Sequence, residues 1–183
     1  MGWKTYTENI KSGLESFVYD ERITQLLKDS IYNNQKIFVA GNGGSSAIAS
    51  HLECDLSKGA IKNYETNYKR YKVIDLSNRS GLMNAISNDL NYKEVFKQQL
   101  INLADKNDIS ILISSSGNSP NIVEAAKWCK DNGIIVVGMT GFNGGELKKI
   151  CDYSAHVNFN SYDVCEDIHM MFGHYLTRAL KDN

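Results

Sequence analysis

Five short runs of β-branched and aliphatic residues, each followed by a segment of helical length, constrain this chain more than any other feature. They cover residues 36–40, 71–76 (Tyr71-Lys72-Val73-Ile74-Asp75-Leu76), 109–114 (Ile109-Ser110-Ile111-Leu112-Ile113-Ser114), 134–139 (Ile134-Ile135-Val136-Val137-Gly138-Met139) and roughly 153–158. Near-continuous apolar runs of this kind belong to parallel sheets covered by helices on both faces. Strand and helix in alternation predict crossover connections between parallel neighbours. The expected fold is therefore a three-layer, doubly wound (flavodoxin-like) α/β architecture around a five-stranded parallel sheet. A length of 183 residues suits one such domain, 1–183, with an N-terminal helical segment over 1–33 and the α/β core over 34–183. Within the N-terminal segment, Ile10, Leu14, Phe17, Val18, Ile23, Leu26, Leu27 and Ile31 recur at spacings of three and four. That pattern predicts two helices with a break near Tyr19-Asp20.

Open sheets of this class bind ligands beyond the carboxyl ends of their strands, where the strand order reverses. Two strand ends here carry unusual chemistry. Behind Ile37-Phe38-Val39-Ala40 comes Gly41-Asn42-Gly43-Gly44-Ser45, whose glycines let backbone approach a ligand closely. Ser46 stands where a dinucleotide fingerprint would have its third glycine, which argues against a nicotinamide site. Behind the third run comes Ser114-Ser115-Ser116-Gly117-Asn118-Ser119-Pro120. Ser119 and Pro120 read as the N-cap and first residue of a helix. Hydroxyls gathered at a helix N-terminus make an anion site, with phosphate the expected anion.

The helix after the glycine turn carries His51 and Asp55, four residues apart and therefore neighbours on one face. Such a pair suits either acid–base chemistry or metal ligation. A final helix over 162–181 is expected to pack through Ile168, Met171, Phe172, Tyr175 and Ala179. It also carries Glu166, Asp167, His169 and His174; His156 and His169 read as structural. Helix geometry leaves open which acid accompanies His174: Asp167 is nearly in line, and Glu166 is turned by roughly 80°.

Composition narrows the function classes. The formal charge of −1, with scattered basic residues, gives no surface suited to nucleic acid. No apolar segment approaches the roughly 18 residues that span a bilayer, so no membrane partner is expected. Cys54, Cys129, Cys151 and Cys165 lack C-x-x-C spacing and no secretory signal precedes them, so reduced thiols and a cytoplasmic location are expected.

Taken in order, Gly41-Asn42-Gly43-Gly44-Ser45, Ser87-Asn88-Asp89, Ser114-Ser115-Ser116-Gly117-Asn118-Ser119, Thr140-Gly141 and Glu166-Asp167-Ile168-His169…Gly173-His174 resemble the phosphoheptose (sedoheptulose 7-phosphate) isomerase family of sugar isomerase (SIS) proteins. The resemblance implies an SIS-type sheet and an aldose–ketose isomerase acting on a sugar phosphate through an enediolate. It implies that Asn42, Gly43, Gly44 and Ser45 line the sugar phosphate. Asn88 and Asp89 would bind sugar hydroxyls, and Ser114, Ser115, Ser116 and Ser119 the phosphate. Asp55 and His174 would be the catalytic acid–base pair, and Asp55 and Glu166 would also touch substrate. His51, Asp55, Glu166 and His174 fall where the family binds Zn2+, and the family enzymes are homotetramers with shared active sites.

The chain departs from the family pattern at three places. Asp55 replaces a glutamate, Glu166 replaces a glutamine, and Gly59, beside Lys58, replaces an arginine. Two histidines and two carboxylates still suit zinc, and the added oxygen donors admit another divalent metal. Related readings are an isomerase of a different C5–C7 phosphosugar, serving heptoses of lipopolysaccharide or capsule, and a non-catalytic phosphosugar-binding SIS protein.

Overall fold

The computed structural model describes residues 2–65 and 68–181 and is built on a six-stranded sheet. Its first elements are α1 (Trp3–Glu15), β1 (Phe17–Tyr19), α2 (Arg22–Tyr32), β2 (Lys36–Gly41) and α3 (Gly44–Cys54), the last continued by a π turn over Asp55–Gly59. Then follow β3 (Lys72–Asp75), α4 (Ser80–Asp89), a 3₁₀ turn over Tyr92–Glu94, α5 (Lys97–Leu103) and β4 (Ile109–Ser114). The remainder is α6 (Pro120–Asp131), β5 (Ile135–Thr140), α7 (Gly145–Ile150), β6 (Tyr153–Val157) and α8 (Tyr162–Lys181).

The strand order is β1-β6-β5-β4-β2-β3, and β2 to β6 are all parallel. From β2 the chain steps outward to β3, then returns to add β4 on the other side. The order therefore reverses between β2 and β4, whose last paired residues are Gly41 and Ile113. That register puts the glycine loop and the serine loop one strand spacing apart, on either side of the crevice that such reversals create.

Alternation along each strand builds two cores. Ile37 and Val39 face α2, α3 and α8 with Ile109, Ile111, Leu52 and Leu176, whereas Phe38 and Ala40 face the other layer with Leu112, Ile122 and Phe96. These side chains are essentially fully buried, each worth about 1.5–3 kcal/mol relative to exposure.

The sheet corrects the expected count of five. The sixth strand, β1, lies inside the segment expected to be wholly helical and pairs antiparallel with β6, Phe17 against Val157 and Tyr19 against Ala155. Phe17 and Tyr19 share a face and pack on Phe172, with ring centroids 5.2 and 5.0 Å apart, while Val18 points to solvent. Three residues of period two cannot be separated by eye from helical spacing. The break near Tyr19-Asp20 is real: the Asp20 carboxylate accepts the Arg22 N–H at 3.0 Å as α2 begins. On α8, Met171 and Tyr175 are exposed rather than buried, and Leu176 and Leu180 complete the packing face instead.

His169 lies wholly inside this packing. Its Nε2–H donates to the Thr140 carbonyl at 3.1 Å, and Nδ1 is buried with no donor to it among the described residues. Burial pushes its pKa down from the ordinary value to about 4, against the smaller upward pull of the Thr140 carbonyl. The folded chain thus binds this proton less readily than the unfolded chain, so the stability it contributes is present above about pH 6.5 and lost as pH falls toward 4. Stability is expected to drop by on the order of 2 kcal/mol between pH 7 and pH 5 from this group alone. Urea unfolding of the native protein and His169→Gln at both pH values checks this; an unchanged slope in the variant would reject it.

Candidate active site

The glycine loop is held from below by a buried carboxylate. Asp75, at the end of β3, accepts the Ser77 N–H at 2.7 Å and the Ser50 hydroxyl, and it is 4% exposed. Ser77 Oγ in turn accepts the Gly41 N–H at 2.9 Å and contacts the Gly41 carbonyl at 3.1 Å. Gly43 then adopts φ +53°, a left-handed turn that starts α3, and is exposed with Gly44. Ser45 is buried beneath this turn.

Across the crevice, Ser114 and Ser119 face one another with their hydroxyls 3.1 Å apart. Ser119 occupies the N-cap of α6 and Pro120 its first position, yet the Ser119 side chain makes no capping bond. Its hydroxyl is turned into the loop instead. Ser115 Oγ is buried without a hydrogen-bond partner among the described residues, a polar group whose desolvation is uncompensated. Gly117 has φ +66°, and its carbonyl accepts the Leu147 N–H at 2.9 Å, bracing the loop on α7.

The two loops are joined by a contact that the sequence did not disclose. Asn42 Nδ2 donates to Asn121 Oδ1 at 2.9 Å, and Asn121 Nδ2 donates back to Asn42 Oδ1 at 2.8 Å. The Tyr92 hydroxyl also donates to Asn42 Oδ1, at 3.0 Å. An asparagine behind a helix-opening proline is an ordinary sequence feature, and only the reversal in strand order sets it against Asn42.

His51, Asp55 and His174 converge although 123 positions separate the two histidines. The Nε2 atoms of His51 and His174 are 2.9 Å apart, and His51 Nε2 lies 3.5 Å from Asp55 Oδ2. In a hydrogen bond between two Nε2 atoms one ring donates and the other accepts, the roles set by the tautomers. Asp55 sits where α3 passes into the π turn, a local widening that often accompanies functional sites. Thr177 of α8 reaches Asp55 Oδ2 at 3.4 Å, and a Cβ at Gly59 would lie 3.1 Å from the Thr177 methyl. A side chain at position 59 would therefore press on Thr177, with Asp55 Oδ1 at an ordinary 3.7 Å.

Glu166 lies elsewhere. Its carboxylate rests on Gly44, where an added Cβ would meet Oε2 at 2.1 Å, so it occupies the N-terminal turn of α3. A negative charge is favoured there by the helix dipole. Burial pushes its pKa up from the ordinary carboxylate value, and Asp167 and Asp163 push in the same direction. Asp167 is bonded by the Tyr6 hydroxyl on α1, away from His174. Asn88 and Asp89 are exposed at the end of α4 and bond to each other at 2.9 Å. Among the described residues, no hydrogen bond or ion pair links the histidine cluster to the serine loop.

Comparison with known proteins fits this arrangement. The SIS domain model matches residues 6–141. A phosphoheptose isomerase of Aliarcobacter butzleri is 33% identical over 160 residues, 87% of this chain and 82% of that relative. A phosphoheptose isomerase of Aneurinibacillus thermoaerophilus is 30% identical over 98% of this chain and 92% of its own length. The solved phosphoheptose isomerase of Francisella tularensis superposes with a TM-score of 0.88 at 22% identity, covering 98% of this chain and 96% of that one. That of Neisseria gonorrhoeae gives 0.85 at 24% identity over the same shares. The glycine loop, the serine loop and the full length of the match place the chain in one group: it belongs to the phosphoheptose isomerase family of SIS-domain proteins.

Proposed function

We propose that this chain is an aldose–ketose isomerase that interconverts sedoheptulose 7-phosphate and the matching aldoheptose 7-phosphate. The observation that carries the reading is the convergence of Asp55 with His51 and His174, whose ligating atoms all lie within 4.8 Å of one another. That set argues against a non-catalytic role, which needs none of these groups. Asp55 removes the proton from C1 of the ketose, and its C–H electron pair becomes the C1=C2 bond. His174 delivers a proton to the C2 oxygen, giving the enediol. Asp55 then returns the carbon proton to C2 while the imidazole accepts the proton of the C1 hydroxyl, leaving the aldehyde. The serine loop fixes the phosphate and so supplies positioning rather than chemistry. Asn88 and Asp89 offer donors and acceptors to sugar hydroxyls, as does the backbone of Gly43 and Gly44.

The histidine cluster fits a zinc ion. Imidazole nitrogen and carboxylate oxygen are both zinc donors, and the three groups offer such atoms within 4.8 Å of one another. When bound, the ion supplies Lewis-acid polarisation of the sugar carbonyl. His51, Asp55 and His174 would hold it, with Glu166 as a fourth ligand only after leaving Gly44. A carboxylate committed to a metal is a weaker base, so the two roles of Asp55 compete.

A single SIS domain, a cytoplasmic location and a homotetramer complete the reading. Exposed Trp3, Leu14, Met171 and Tyr175 on α1 and α8 support subunit contacts there, and four free thiols support a reducing compartment. No helix among the described residues is long and apolar enough to cross a membrane. The test is a panel of C5 to C7 ketose phosphates in deuterium oxide, followed by NMR. Sedoheptulose 7-phosphate is expected to turn over fastest, with solvent deuterium appearing at C2 of the aldose. Absence of both conversion and exchange across the panel would defeat the proposal.

A further inference from the structure

We infer that Asn121 and Tyr92 are positioning residues that orient the Asn42 side-chain amide toward the sugar, locking the glycine loop to the serine loop. The inference rests on the proposed sugar-phosphate site and specifies how one of its groups is aimed. A primary amide has two N–H donors and one oxygen. In Asn42 the oxygen accepts from both Asn121 Nδ2 and Tyr92 Oη, and one N–H is given to Asn121 Oδ1. Flipping this amide would set its NH2 against the Asn121 NH2 and its oxygen against Asn121 Oδ1, which the Ile122 N–H holds in place, so a single orientation survives. One Asn42 N–H is then left for a ligand, and Asn42 is the partly exposed member of the pair, Asn121 being 1% exposed.

Asn121 itself has no comparable freedom. Its Oδ1 also accepts the Ile122 N–H at 3.0 Å, which ties the amide plane to the first turn of α6 directly behind Ser119. The pair thus fixes the glycine loop after β2 relative to the phosphate loop after β4. Distance between phosphate and reacting carbons is thereby transmitted to the amide through two short links rather than through the sheet.

Asn121→Leu removes donor and acceptor together without adding a charge beside the serine loop, and so releases the Asn42 amide. Calorimetric titration with the alditol phosphate, which binds without turning over, is compared with titration by inorganic phosphate. For Asn121→Leu the alditol phosphate is expected to bind roughly tenfold more weakly, the scale of one misplaced hydrogen bond. Inorganic phosphate should bind within twofold of wild type. Tyr92→Phe should show the same selective loss, roughly threefold. In turnover the loss should fall on KM and leave kcat nearly unchanged. The Asn42→Ala, Asn121→Ala double variant should bind no more weakly than Asn42→Ala alone.

Equal weakening of both ligands, or effects of the two alanines that multiply, would overturn the inference. A wild-type chain that binds the alditol phosphate without isomerising any ketose would defeat the proposed reaction and leave the amide test standing. A wild-type chain that binds neither ligand would overturn both.

Discussion

Replacing Asp55 with asparagine is expected to lower ketose phosphate isomerisation about a thousandfold, within the usual contribution of a positioned general base. The substitution is isosteric, so the π turn and the Thr177 contact at 3.4 Å have no reason to move. What disappears is the charge that takes up the carbon-bound proton. Exchange of that proton with deuterated solvent should fall in step with turnover, because both need the same abstraction. Competitive inhibition by inorganic phosphate should stay within about twofold of wild type, since the serine loop lies on a different strand end and phosphate binding serves positioning rather than proton transfer. Turnover and exchange at wild-type rates would remove Asp55 from its role as base.

The second large effect is structural. Gly117→Ala should cost at least about 3 kcal/mol and lower the melting temperature by roughly 6–12 °C for a chain of this size. Two penalties add. The backbone at φ +66° is one that non-glycine residues adopt at a cost, and the new Cβ would lie 1.9 Å from the Gly144 carbonyl oxygen. That oxygen belongs to the backbone of the turn into α7, which cannot swing aside as a side-chain tip can. Relief requires the serine loop to lift from α7, breaking the Leu147 N–H bond to the Gly117 carbonyl. Inorganic phosphate should then bind at least tenfold more weakly. A variant that melts within 2 °C of wild type and binds phosphate normally would show the loop to be more pliable than this packing allows.

The parallel strands were legible because a strand covered on both faces has little choice but to be apolar, as β4 and β5 show. Strand β1 was not, since Phe17 and Val18 continue the helical spacing from Leu14 while Phe17 and Tyr19 obey strand alternation, and pairing with β6 decided between them. The exposure of Met171 and Tyr175 was equally hidden, because β1 takes the neighbouring Phe172 and leaves their outer faces to solvent. Within the site, the pairing of His51 with Asp55 followed from helical spacing, and the family resemblance brought His174 to them. The resting place of Glu166 on Gly44 did not follow from either, because it depends on how α8 crosses the start of α3. The Asn42–Asn121 pair depends on strand order, which no local pattern encodes.

One consequence of the histidine pair concerns biosynthesis. His51 and Asp55 ride on α3 and its π turn and His174 on α8, so a nascent polypeptide shorter than about 160 residues can build most of the sheet and still hold no competent centre. Refolding followed by two probes should show helical circular dichroism returning before enzymatic competence, the delay measuring how slowly the last helix docks.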